Sequence, residues 1–136
     1  MKQGKRVKPK FSIEYRLLIT PKYKEREKKT VILAALRTVN EFTNFLYEII
    51  VQDSVVDHNL HLKIHGLRAP QVTLPGTGPA VFNKEYEDLS GKFNVIVSKL
   101  RREENVFVVN ISKEKITIEK SPKEKFVEIV TSEEDW

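Results

Sequence analysis

TVILAALRTVNEFTNFLYEIIV, residues 30–51, is the apolar centre of this 136-residue chain. Ile32, Ala35, Leu36, Val39, Phe42, Leu46, Ile49 and Ile50 recur at helical spacing, which predicts one long helix over about 30–51. Val31, Ala34, Phe45 and Tyr47 widen its apolar face, and Arg37, Asn40, Glu41, Asn44, Glu48 and Gln52 leave only a narrow polar stripe. A face this wide predicts cover on more than one side, from a sheet, a second helix or another subunit. Phe42, Phe45, Leu46 and Ile49 are its candidate interface residues.

On the N-terminal side, Phe11–Ile19 alternates apolar and polar residues, which predicts a strand ended by Thr20-Pro21, since proline lacks the ladder donor. On the C-terminal side, Leu60, Leu62 and Ile64 alternate with His61, Lys63 and His65, a second strand closed by Gly66. Residues 67–82 hold three prolines and two glycines and read as a long loop or a loose hairpin, a kind of segment that is often functional.

Asn83–Glu104 admits two readings. A helix over about 84–103 lines up Tyr86, Leu89, Phe93, Ile96, Val97 and Leu100, with Asn83 as cap and acids before bases along the axis. Gly91 and the β-branched run Val95-Ile96-Val97 argue instead for a turn and a strand in which Phe93, Val95 and Val97 alternate. The helix is the preferred expectation. Val106–Ile111, Ile116–Ile118 and Phe126–Val130 read as strands, with turns at Ser112–Lys115 and Ser121-Pro122.

The expected fold is therefore α+β. A basic leader, 1–10, and an acidic tail, 132–136, flank one domain, 11–131, with two helices packed on an antiparallel sheet of about five strands. The order of elements over 11–111 resembles the ferredoxin-like arrangement that RNA-recognition modules share. The base-stacking aromatic strand of those modules has no counterpart, since Val106–Ile111 holds only Phe107. If residues 92–130 form a four-stranded meander, the alternative is a single helix wrapped by a cystatin-like antiparallel sheet.

Charge is distributed unevenly. Residues 1–29 carry eleven Lys or Arg against three Glu, whereas the remainder has a small acidic excess within a total of +5. Such a bias points to an anionic partner or to a solvated leader. Lys2, Lys5, Arg6, Lys8 and Lys10 are the candidate phosphate contacts, acting by counterion release. The absence of cysteine removes disulfides, thiolate chemistry and thiolate-bound metals, and suits a reducing compartment. No apolar run reaches the ~18 residues of a membrane span, and no apolar core with a cleavage site follows the basic start. A cytoplasmic location is the expectation.

Catalytic and ligand motifs are thin. His58, His61 and His65 lie within eight residues, but Lys63 separates the two that share a strand face, which disfavours a bound cation. Gly76-Thr77-Gly78 fits neither phosphate-loop fingerprint: no Gly-Lys-Ser/Thr follows, and Val81 stands where a sixth-position glycine is needed. LPGTG, residues 74–78, is similar to a sortase signal but lacks the apolar span and basic tail that follow one. No serine has a Gly-x-Ser-x-Gly setting, and Glu103-Glu104 and Glu133-Glu134 lie in polar surroundings unsuited to a raised pKa. No cofactor or metal is implied. The first functional expectation is a non-enzymatic binding or assembly module acting through protein contacts, with itself or another protein. The second is a nucleic-acid binder. The third is an enzyme with a site between the Pro70–Pro79 loop and the His61/His65 face.

Overall fold

The computed structural model describes residues 12–69, 75–101 and 103–136. Among the described residues nine strands form one sheet: β1 (Tyr15–Lys24), β2 (Lys29–Phe42), β3 (Glu48–Val56), β4 (Asn59–Arg68), β5 (Gly78–Tyr86), β6 (Gly91–Lys99), β7 (Glu104–Ile111), β8 (Ile116–Lys120) and β9 (Val127–Val130). Their spatial order is β8-β7-β6-β4-β3-β5-β2-β1-β9, and the sheet curls into a half-barrel around one core. Among the described residues there is no α-helix, and the sole helical piece is a 3-10 turn at Glu133–Asp135.

Both predicted helices are therefore corrected. Residues 30–51 span most of β2, a connection, and the start of β3; residues 84–103 span the end of β5, a crossover, and β6. Neither the ferredoxin-like order nor the cystatin-like single helix survives. The misreading has a physical source. In β2 the residues Val31, Ile32, Ala34, Ala35 and Leu36 are all buried, so both faces of the strand are covered. A strand buried on both faces loses its alternation and reads as a continuous apolar run, which periodicity cannot tell from a buried helix. In β6 the alternation is plain once Gly91 is taken as a turn residue: its φ of 83° is a left-handed conformation that suits glycine. Phe93, Val95 and Val97 then face the core and Asn94 and Ile96 do not.

The core is built from inward rows on neighbouring strands. Leu17 and Ile19 lie beside Leu36 and Ala34; Leu60 and Leu62 lie beside Val95 and Val97; Val95 lies beside Phe107. Each fully buried side chain of this kind contributes roughly 1.5–3 kcal/mol. Pro21, expected to end the first strand, sits inside β1 opposite Ile32. β9 covers β1 only as far as Leu18, so Pro21 lies where β1 has become an edge and a missing donor is tolerated.

Two seams close the curl with few backbone bonds. At one seam β3 and β5 share a single bridge pair, Glu48 with Val81. Farther up, Asp53 Oδ2 spans the gap, accepting from Lys84 Nζ at 2.8 Å and from the Tyr86 hydroxyl at 2.9 Å. At the other seam Asn105, buried at the start of β7, reaches the opposite edge of the sheet. Its Oδ1 accepts from the backbone N–H of Phe126 (2.9 Å) and Val127 (3.2 Å), and its Nδ2 donates to the carbonyl of Glu124 (3.2 Å). Lys99 reinforces this corner by pairing with Glu14 across the seam.

Candidate protein-interaction surface

The strand directions bring several connections to one end of the half-barrel: residues 43–47, 75–77, 100–101 and 121–126, together with the start of β1. The 43–47 connection is the most apolar of them. It leaves β2 after an irregularity between Arg37 and Glu41. There the buried Thr38 hydroxyl accepts from the N–H of Ala80 at 2.9 Å and donates to the carbonyl of Asn40 at 2.8 Å. The chain then passes the start of β5 on its way to β3. Tyr47 meets Phe42 and Phe45 edge-on, with ring centres 5.1 and 6.2 Å apart. Phe45 bridges to Pro75, and Leu46 lies over Gly76 and Gly78, where a Cβ on either glycine would come within 3.2–3.3 Å of the leucine. These glycines allow the close approach of Leu46.

The structure divides the four interface candidates. Phe45 is 37% exposed and Leu46 40% exposed, while Phe42 is partly buried against the core. Ile49 is a core residue, 3% exposed. Leu67 on β4, opposite Ile49, and Leu100 in the β6–β7 turn are exposed at the same end. Leu100 falls on the face of the helix expected over 84–103, and no periodic signal marks a lone turn leucine.

The three histidines do not converge. His58 packs against Phe93 with ring centres 5.1 Å apart and planes tilted by 58°; His61 Nε2 lies 2.9 Å from Ser98 Oγ; His65 Nε2 lies 3.1 Å from Gln52 Oε1. Among the described residues no group of three or more His, Asp or Glu is placed to hold a metal. The described part of the Pro70–Pro79 loop, Pro75–Pro79, does not line the cleft of about 320 Å³ that His65 shares with Tyr15, Ile64, Lys99, Leu100 and Arg101. Residues 70–74 and the whole leader, with Lys2, Lys5, Arg6, Lys8 and Lys10, lie outside the described residues.

The ionisable groups with shifted pKa values serve the fold. Burial opposes a charge on Lys99, but the hydrogen bonds it donates to Glu14 and Glu103 outweigh it and raise the pKa above the usual lysine value. The ammonium also sits 4.6 Å from the centre of the Phe126 ring. Burial likewise opposes ionisation of Asp53, and its hydrogen bonds from Lys84 and Tyr86 reverse the balance and lower the pKa. Burial, then the bond to Asp53, push the Tyr86 phenol well up. On the surface, Lys22, Lys24, Lys29 and Lys92 each lie 2.7–3.4 Å from a glutamate on another strand or turn. The arrangement is that of an all-β protein whose polar side chains staple seams and whose exposed Phe45, Leu46, Leu67 and Leu100 lie at one end. In comparisons with known proteins, no family model matches the chain, and neither a curated protein nor a solved structure does.

Proposed function

We propose that the protein is a non-enzymatic binding module that works through protein contacts at the 42–47 rim. The observation that carries this reading is the pair Phe45 and Leu46, adjacent in sequence, 37% and 40% exposed, on a connection braced from behind by Tyr47, Phe42 and the Gly76–Gly78 segment. Single exposed apolar residues are ordinary, but neighbouring ones on a braced surface are what a protein contact uses. A rigid backing also lowers the entropy lost on docking.

The test is the concentration dependence of molar mass by light scattering, for the wild type and for Phe45→Glu. Because Phe45 is partly exposed, the variant should keep the far-ultraviolet spectrum of the wild type. The expected result is wild-type association that Phe45→Glu removes. A wild type and variant with the same mass at every concentration would refute the rim as a site of self-contact.

A further inference from the structure

Among the described residues one buried side-chain donor has no acceptor, the Nε of Arg37 on β2. Buried polar groups are almost always paired, so such an atom calls for a reason. The strand registers supply one. Arg37 lies opposite Arg16 of β1 on one side and opposite Val81 of β5 on the other. Arg16 in turn lies opposite Glu128 of β9, Val81 opposite Glu48 of β3, and Glu48 opposite Arg68 of β4. Directly opposed residues share a face, so these side chains form one row across six strands. The face is the outer one, since Leu17, Leu36 and Ile49, each adjacent in sequence to a member of the row, belong to the core.

Two of the three arginines in the row are served by a glutamate of a neighbouring strand. Arg16 Nε lies 3.2 Å from Glu128 Oε1, and Arg68 Nη2 lies 2.9 Å from Glu48 Oε1. Arg37 is in no ion pair among the described residues. Its neighbours across the row are an arginine and a valine, and Ala35 precedes it on the same face of β2; none of these side chains has an acceptor. Glu14, two residues before Arg16, is held by Lys99 at 2.8 Å. Like charges directly opposite are destabilising, so the Arg16–Arg37 pair concentrates positive charge where β5 presents Val81 in place of an acid.

We propose that Arg37 anchors a binding site on this outer face for an acidic peptide segment, whose Asp or Glu carboxylate does for Arg37 what Glu128 and Glu48 do for the other two arginines. Arg37 is half-buried. A turn about its outer bonds brings the Nε–H and an Nη–H forward side by side, the fork that meets a carboxylate with two parallel bonds. The site lies on the outer face of the sheet and not on the 42–47 connection, so it stands whether or not that rim is an interface.

Two measurements test it. Methionine keeps the apolar stem of Arg37 and removes both the unpaired donor and the repulsion from Arg16, so Arg37→Met should leave the thermal midpoint at or above that of the wild type. In fluorescence anisotropy at constant salt, a labelled hexaglutamate peptide should bind the wild type and a hexaglutamine peptide should not. Arg37→Met should weaken hexaglutamate binding by about tenfold, the loss of one charge-assisted pair. Arg37→Lys should restore only part of it, because an ammonium is a point charge without the fork. Lys123→Met removes an exposed cation of the 121–126 connection and should change binding by less than about twofold. Equal losses in Arg37→Met and Lys123→Met would mean attraction to net charge alone and would overturn the proposal. So would a wild type that does not distinguish the two peptides. A midpoint lowered by Arg37→Met would overturn it as well, since the fold itself would then be using the guanidinium.

Discussion

Asn105→Ala should cost more than any other single polar substitution in the described fold. Asn105 is 3% exposed, and its Oδ1 is the acceptor for two backbone N–H groups, Phe126 at 2.9 Å and Val127 at 3.2 Å. Both donors are buried. Alanine leaves both without a partner, and each orphaned buried donor costs about 1–3 kcal/mol. The sum is about 2–6 kcal/mol, a large part of a typical stability of roughly 5–15 kcal/mol. At a urea m value of about 1.5–2 kcal/mol/M, the midpoint should fall by about 1–4 M. The single tryptophan is well placed to report it, since Trp136 Nε1 donates to the carbonyl of Arg16 on β1 at 3.1 Å. Unfolding followed by tryptophan fluorescence and by circular dichroism should give coincident transitions for wild type and variant. Thr38→Val provides the internal scale: it orphans one buried N–H, that of Ala80, and should cost about half as much. An Asn105→Ala loss below that of Thr38→Val would refute the view that this side chain closes the seam.

Other outcomes follow from the same contacts. The pKa of Asp53 is lowered in the fold, so its carboxylate adds stability that is fully present above the unfolded value of about 3.9 and fades as pH falls through the folded value. Stability of the wild type should therefore drop more between pH 6 and about pH 3 than that of Asp53→Asn, and parallel curves for the two would remove Asp53 from the seam. Ile49→Ala should cost about 2–4 kcal/mol in urea titration, because its side chain is in the core. Phe45→Glu should cost less than about 1 kcal/mol, as surface changes do, and equal losses would mean that the rim is core. Gly91→Ala meets no atom within 4 Å, so its cost should be the conformational one alone, about 1–2 kcal/mol for a left-handed residue, read from the thermal midpoint.

Local patterns carried part of this fold. The alternation of Leu60, Leu62 and Ile64 against His61, Lys63 and His65 marked β4, and the runs at Val106–Ile111 and Ile116–Ile118 marked β7 and β8. The Ser112–Lys115 turn was legible because a serine hydroxyl that accepts from the N–H groups of Glu114 and Lys115 needs only neighbours in sequence. Of the surface, Phe45 and Leu46 stood out as apolar residues in excess of what one buried face requires. What placed them at a rim, and Ile49 three residues on in the core, was the point where β2 ends and β3 begins.

Those boundaries, and the strand pairing, were decided at long range. Apolar periodicity records how many faces of a segment are covered, and β2 is covered on both, so its sequence fits a buried helix as well as a buried strand. The choice went to the strand because β1 and β5 flank it and satisfy its backbone on both sides. β9 follows β8 in sequence yet pairs in parallel with β1, bringing Glu128 to Arg16 across 112 positions. No local pattern encodes such a partner. From the sequence alone came the alternating strands, the tight turn, the uneven charge and an excess of apolar surface. Tertiary structure decided which apolar residues stay outside, since exposure depends on which distant strands arrive to cover them.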